Sequence, residues 1–179
     1  DVEYEIHVCS NDHDVPSYAY ALIEKPRPGK FYPERARELG VPEGPLWSRL
    51  QHGLTVKLQD GRTVKPEDVL GPPRPGRKIT YISDTRPSER LLGLAEGADV
   101  LIHEATFSDD LAERACEDMH STAGEAAIFA SKAGVRLLIL THISARYTDS
   151  RVLLEQARKF FPNVCVAEDL MSIDVPFRN

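Results

Sequence analysis

From residue 78 onward, short apolar runs alternate with amphipathic stretches, and that rhythm predicts strand, helix, strand, helix. Lys78–Ile82 (KITYI) is predicted as a buried strand, because Ile79, Tyr81 and Ile82 are β-formers and a Gly/Pro-rich run precedes them. Leu91, Leu92, Leu94 and Ala95 then share a helical face, with Pro87 in the first turn and Gly97 as the stop. Val100–His103 is the next strand and Leu111–Met119 the next helix. Thr122 followed by Glu125 is a capping-box pattern, so Ala126–Ala133 continues as a helix closed by Gly134. Arg136–Thr141 (RLLILT) reads as a fully buried strand. Ser150–Phe160 predicts a helix with Val152, Leu153, Leu154, Ala157 and Phe160 inward, followed by strands at Val164–Ala167 and Met171–Val175. At the other end, Val2–Val8 and Tyr18–Ile23 read as two strands separated by Pro16.

Between these blocks the periodicity is lost. Lys25–Pro33 excludes regular structure; Glu34–Leu39 and Leu46–Gln51 are short helical turns stopped by Gly40 and Gly53. Thr55–Leu58 and Arg62–Val64 read as a hairpin around Asp60-Gly61, and Gly71–Arg77 (GPPRPGR) returns the chain to the core. The stretch from Lys25 to Lys78 holds nine of the thirteen prolines and seven of the eleven glycines, so residues 25–78 are expected to be an inserted arm, not part of the core of the one α/β domain spanning 1–179. Charge separates the two parts further. The net charge is −6, yet the arm carries twelve Lys/Arg against six Asp/Glu, and the remainder ten against twenty-two. A basic insertion on an acidic body points to an anionic partner such as nucleic acid, with a solvated loop as the alternative.

Three cysteines, far apart and without a CxxC, support neither a disulfide framework nor a thiolate zinc site. They suit a reduced, cytoplasmic protein. No run reaches the ~20 apolar residues of a membrane span. Asp1 begins almost directly in a strand without an initiator Met, so the chain reads as cut from something longer.

The candidate chemistry lies at strand ends. Lys78–Ile82 leads into Asp84, Val100–Ile102 into His103-Glu104, Leu137–Thr141 into His142, and Tyr4–Val8 into Asn11-Asp12-His13. Such ends are where α/β sheets place their ligands, and they are expected to converge on one metal site with Asp84 in the middle. Imidazole and carboxylate are ordinary zinc donors; His13, Asp84 and His142 would supply three, and Asp84 has two oxygens with which to bridge two ions. Each His also reads as an ordinary core or surface histidine, and Asp84 as a helix cap. His120, at a helix start, is either a general acid or a capping residue. Glu104 either orients that acid or caps its loop; His7 and His52 read as structural or surface residues. No P-loop, GxGxxG or GxSxG is present.

SDTRPS (Ser83–Ser88), HEATF (His103–Phe107), HST (His120–Thr122), LTHISARY (Leu140–Tyr147) and AED (Ala167–Asp169) resemble ribonuclease Z, the tRNA 3′-processing endonuclease family of the metallo-β-lactamase fold. VPEGPLW (Val41–Trp47), HGLTVKLQDGR (His52–Arg62) and GPPRPGR in the arm are similar to it as well. The resemblance implies part of an αββα sandwich and two zinc ions, with His13 on one, His142 on the other and Asp84 bridging. It makes His120 the proton donor and gives Glu104 a supporting role. It also makes the arm an exosite that grips precursor tRNA in a homodimer. Gly44-Pro45 would form the arm's Gly-Pro motif, with Lys25, Arg27, Lys30, Arg35, Arg37 and Arg49 as its cations. Two departures stand out. Ser83 replaces the usual Gly before the bridging Asp, and the HxHxDH motif is absent. The chain therefore reads as the C-terminal half of such an enzyme, expected to bind zinc weakly and to be inactive alone. Its uncovered apolar sheet face is expected to self-associate or to hold an N-terminal fragment. The alternatives are a tRNA-binding fragment that does not cut and another phosphodiesterase of the same fold.

Overall fold

The computed structural model describes residues 3–178; Val2, at the start of the first expected strand, lies outside the described residues. In chain order the elements are β1 (Tyr4–Ser10), β2 (Tyr18–Glu24), α1 (Pro33–Glu38), α2 (Pro45–Gln51), β3 (Val56–Lys57), β4 (Thr63–Val64), α3 (Pro66–Val69), β5 (Lys78–Ile82), α4 (Glu89–Ala95), β6 (Val100–Glu104), a 3-10 turn (Asp109–Leu111), α5 (Ala112–Glu117), α6 (Ala123–Lys132), β7 (Leu137–Thr141), α7 (Arg151–Arg158) and β8 (Val164–Val166). They fall into two compact units, one formed by the residues up to Glu24 together with Arg77–Phe177, the other by Lys25–Gly76.

The first unit is a mixed sheet in the order β1-β2-β5-β6-β7-β8. The β1–β2 and β2–β5 pairs are antiparallel, and β5 through β8 run parallel. Strands β1, β5, β6 and β7 therefore point the same way and end on one edge. The period-2 alternation sorts side chains between faces. Ala19, Ile82, Leu101, Leu138, Leu140 and Val164 pack on Leu91, Ala95, Ala126, Phe129, Ala130, Leu153 and Ala157 of α4, α6 and α7. The small residues of α6 let it approach the sheet closely. On the other face Tyr4, Ile6, Val8, Tyr18, Tyr20 and Tyr81 remain exposed.

Four local readings change. Pro87 precedes α4, whose N-cap is Ser88. Leu111–Met119 becomes a 3-10 turn followed by the shorter α5. α7 ends at Arg158, short of Phe160; Val152 and Phe160 face solvent, and Leu153, Gln156 and Ala157 form the inner stripe. Met171–Val175 forms no strand. The last ladder bond runs from Ala167 N to Leu140 O, and a turn closed by Met171 N and Glu168 O then reverses the chain, with Leu170 at φ 64°. Met171, Ile173 and Val175 instead line a cavity with Ile79, Ile102 and Ile139.

The second unit has its own core of Ala36, Val41, Leu50, Val56, Leu58, Val64 and Val69, flanked by Phe31, Leu46 and Trp47. It is internally packed rather than a loose loop. Gly29 is required there, since a Cβ would lie 2.0 Å from Gly71 O. The expected hairpin forms as β3 and β4, two residues each. Helix α3 carried a legible signal, Pro66 at its first turn and Asp68 accepting from Lys65 N at 2.8 Å. No helix among the described residues is long and apolar enough to cross a membrane.

Candidate metal centre

The parallel strand ends bring four loops together, and hydrogen bonds between those loops fix them. Arg86 N donates to Asp12 O (2.9 Å) and Asp12 N to Thr85 Oγ1 (3.0 Å), tying the β1–β2 loop to the loop after β5. Ser121 Oγ donates to Thr85 O at 2.7 Å, adding the loop before α6. As a result His142 Nε2 lies 3.3 Å from Asp84 Oδ1. Ligand atoms of Asp84, His120 and His142 all lie within 4.8 Å of one another. The His13 ring centroid is 5.1 Å from that of His120, which is 5.2 Å from that of His142.

Asp84 and His142 both adopt left-handed backbone, at φ 53° and 54°. Asp and His are both enriched in that region among non-glycine residues, and such backbone concentrates at functional sites.

Beneath the cluster sits Glu104, fully buried. Its Oε1 accepts from Thr85 N (2.8 Å) and His120 Nδ1 (2.8 Å); its Oε2 accepts from Thr106 Oγ1 (2.7 Å), Thr106 N (3.2 Å) and Ser121 N (3.1 Å). Burial alone pushes its pKa up, but the bonds from Thr85, Thr106, His120 and Ser121 outweigh it and hold the carboxyl below the usual glutamate range. Glu104 thereby holds the His120 ring through Nδ1 and leaves Nε2 outside that contact. His103 points elsewhere. Its Nδ1 donates to Glu104 O (2.7 Å), its ring meets Phe129 with centroids 5.3 Å apart, and burial pushes its pKa below the usual imidazole value.

The residues fit a divalent metal ion, although His13 stands outside the group of ligand atoms within 4.8 Å of one another. His142 Nε2 and Asp84 Oδ1 face each other, and His13 Nε2 is buried without a hydrogen-bond partner. Imidazole and carboxylate donors of this kind suit zinc. His13 Nδ1 accepts from Val15 N at 3.3 Å. A neutral ring in that state carries its proton on Nε2, so ligation through Nε2 requires the other tautomer and releases Val15 N.

Sequence reasoning singles out neither Thr106 nor Arg86. Thr106 Oγ1 lies 2.8 Å from His142 Nδ1. Arg86 donates to His120 O and forks onto Glu125, the acidic member of the α6 capping box. The capping box was a legible signal for Arg86's partner; nothing local marks Thr106. In the arm, Lys25, Lys30, Arg35, Arg37, Gly44, Pro45 and Arg49 are exposed and Arg27 is half-buried. Arg35 stacks on Tyr32 (4.7 Å) and Arg37 on Trp47 (5.3 Å). Gly44 caps α2 at φ 118°, a conformation open to glycine and strained for other residues.

A sheet whose parallel strand ends gather His and Asp around a candidate metal centre matches a known class. The family model for the beta-lactamase superfamily domain covers residues 50–143, and the chain belongs to that superfamily. Within it, the chain is 53% identical over 176 residues to ribonuclease Z of Methanosarcina acetivorans, covering 98% of this chain and 57% of that one. It is 52% identical over 178 residues to ribonuclease Z of Myxococcus xanthus, at 98% and 58% coverage. The resemblance carried by the motifs is therefore to ribonuclease Z, although the chain spans only about 57% of the first relative's length. The crystal structure of human tRNase Z, short form, shares the fold at TM-score 0.60 and 24% identity, over 99% of this chain and 45% of that one.

Proposed function

We propose that this chain contributes zinc ligands and the proton donor to an endonuclease that removes the 3′ trailer from precursor tRNA. The observation that carries the reading is the convergence of Asp84, His120 and His142 within 4.8 Å, in a chain 53% identical to ribonuclease Z. His13, Asp84 and His142 would hold zinc. Bound there, zinc supplies Lewis acidity toward a phosphodiester. His120, oriented by Glu104, would deliver a proton from Nε2. The balance is hydrolytic: water adds to phosphorus, the bond from phosphorus to the 3′ oxygen breaks, and that oxygen leaves as the tRNA 3′-hydroxyl with the proton from His120. The trailer keeps the phosphate on its 5′ oxygen.

In the arm, Lys25, Arg27, Lys30, Arg35, Arg37 and Arg49, with Gly44-Pro45, would contact the tRNA backbone, from a second copy of the chain in a homodimer. The exposure of most of these cations supports that reading. The test is cleavage of a trailer-bearing precursor tRNA by the full-length protein with added zinc. Equal turnover of a small phosphodiester would favour a general phosphodiesterase instead. The absence of HxHxDH from these 179 residues favours a second reading for the isolated chain, tRNA binding without cleavage. Filter binding and cleavage measured on the same sample separate the two.

A further inference from the structure

We propose that Thr106 fixes the tautomer of His142, so that the buried carboxylate of Glu104 governs both imidazoles: His120 directly and His142 through the threonine hydroxyl. The argument is a count of protons. Three of the groups on Glu104 are backbone N–H donors, from Thr85, Thr106 and Ser121. An ionised carboxylate only accepts. The Thr106 hydroxyl has one proton, and it lies 2.7 Å from Glu104 Oε2, so that proton is donated there. The same oxygen is 2.8 Å from His142 Nδ1 and has only lone pairs left for it. His142 Nδ1 must then carry a proton. In the neutral ring, Nε2 is left with its lone pair, 3.3 Å from Asp84 Oδ1. Two acceptors facing each other at that distance are stabilised by a cation between them. A metal-ligating imidazole in proteins is commonly held in this way by an outer hydrogen bond.

The hydrogen-bond argument stands on the described side chains alone; its consequence for zinc rests on the metal-site reading above. The full-length protein is stripped of metal, labelled with 15N in its histidines, and held above about pH 8, where imidazoles are neutral. Long-range 1H–15N correlation then reports the tautomer of each ring. The expected result is the Nδ1–H tautomer at His142 in the native protein and in Thr106→Ser, and its loss in Thr106→Val. Zinc affinity, read by competition with a chromophoric chelator, is expected to fall about 10–100-fold in Thr106→Val and to recover in Thr106→Ser. An Nε2–H tautomer at His142 in the native protein overturns the inference. So does a folded Thr106→Val that keeps both the tautomer and the zinc affinity. A native Nδ1–H tautomer in a protein that binds no zinc upholds the tautomer assignment and removes the metal-site reading instead.

Discussion

At the strand ends, Glu104 is fully buried and takes five hydrogen bonds, from Thr85, Thr106 (twice), His120 and Ser121. In the arm, the Arg37–Glu43 pair closes at 2.7 Å with both side chains more than half exposed, at 56% and 63%. Both regions are rich in ionisable groups, but the physics differs. A buried carboxylate must be fully satisfied, and once satisfied it fixes the geometry of every group that satisfies it. An exposed pair is screened and competes with water, so it fixes little. Charge at the strand ends is fixed in place, whereas the exposed Arg37–Glu43 pair in the arm fixes little.

Replacing Glu104 breaks the comparison most severely. Glu104→Ala orphans five donors and is expected to destabilise the fold by about 3–5 kcal/mol, a fall in melting temperature of roughly 10 °C. A melt shifted no more than that of an arm charge variant would erase the distinction. Leu50→Ala probes the arm's core, where Leu50 is fully buried. It is expected to lose about 2–4 kcal/mol, seen as lost hydrogen-exchange protection of arm amides. Asp84→Asn sharpens the comparison, because the half-exposed Asp84 side chain is proposed to serve the site rather than the fold. Stability is expected to change by less than about 1 kcal/mol, while zinc affinity, measured by chelator competition, falls by about 100-fold or more.

His103 gives the pH dependence. Its folded-state pKa lies below the ordinary imidazole value, so its contribution is complete above about pH 6.5 and is lost as pH falls, when the unfolded chain takes up a proton that the native chain refuses. The expected loss is at most about 1.4 kcal/mol per pH unit below that point, and His103→Leu should flatten it in melts between about pH 6.5 and 5.5. Glu104 has the same sign at lower pH: its stabilisation is present above the ordinary glutamate range and lost as pH falls through the depressed folded value. Arg37→Ala gives the smallest effect, within about 1 kcal/mol, yet it should weaken tRNA binding and lower its salt dependence in filter assays.

The sequence announced the strand ends because β5, β6 and β7 are apolar runs, each ending abruptly in a polar residue, and α/β sheets place their ligands at the carboxyl ends of such strands. Asp84 and His142 were legible for that reason, and His120 from its place just before the capped start of α6. Thr106 was not, since a threonine two residues after a buried glutamate carries no local pattern; its role exists only once β6 and β7 lie side by side. His103 and Glu104 looked equivalent on paper, and strand alternation sent them to opposite environments. Met171–Val175 alternates like a strand, yet the turn at Glu168–Met171 carries it out of the ladder. The arm's short helices were legible from Pro and Gly punctuation, but its own core was hidden by the prolines and charges around it.

The measurement that bears most directly on the account is cleavage of a trailer-bearing precursor tRNA by the full-length protein, native and Asp84→Asn, with zinc and after chelation. The account predicts one cut that leaves a tRNA 3′-hydroxyl, lost on chelation, restored by zinc, and absent in Asp84→Asn. Cleavage that persists at the native rate in Asp84→Asn, or in the metal-stripped protein, contradicts it.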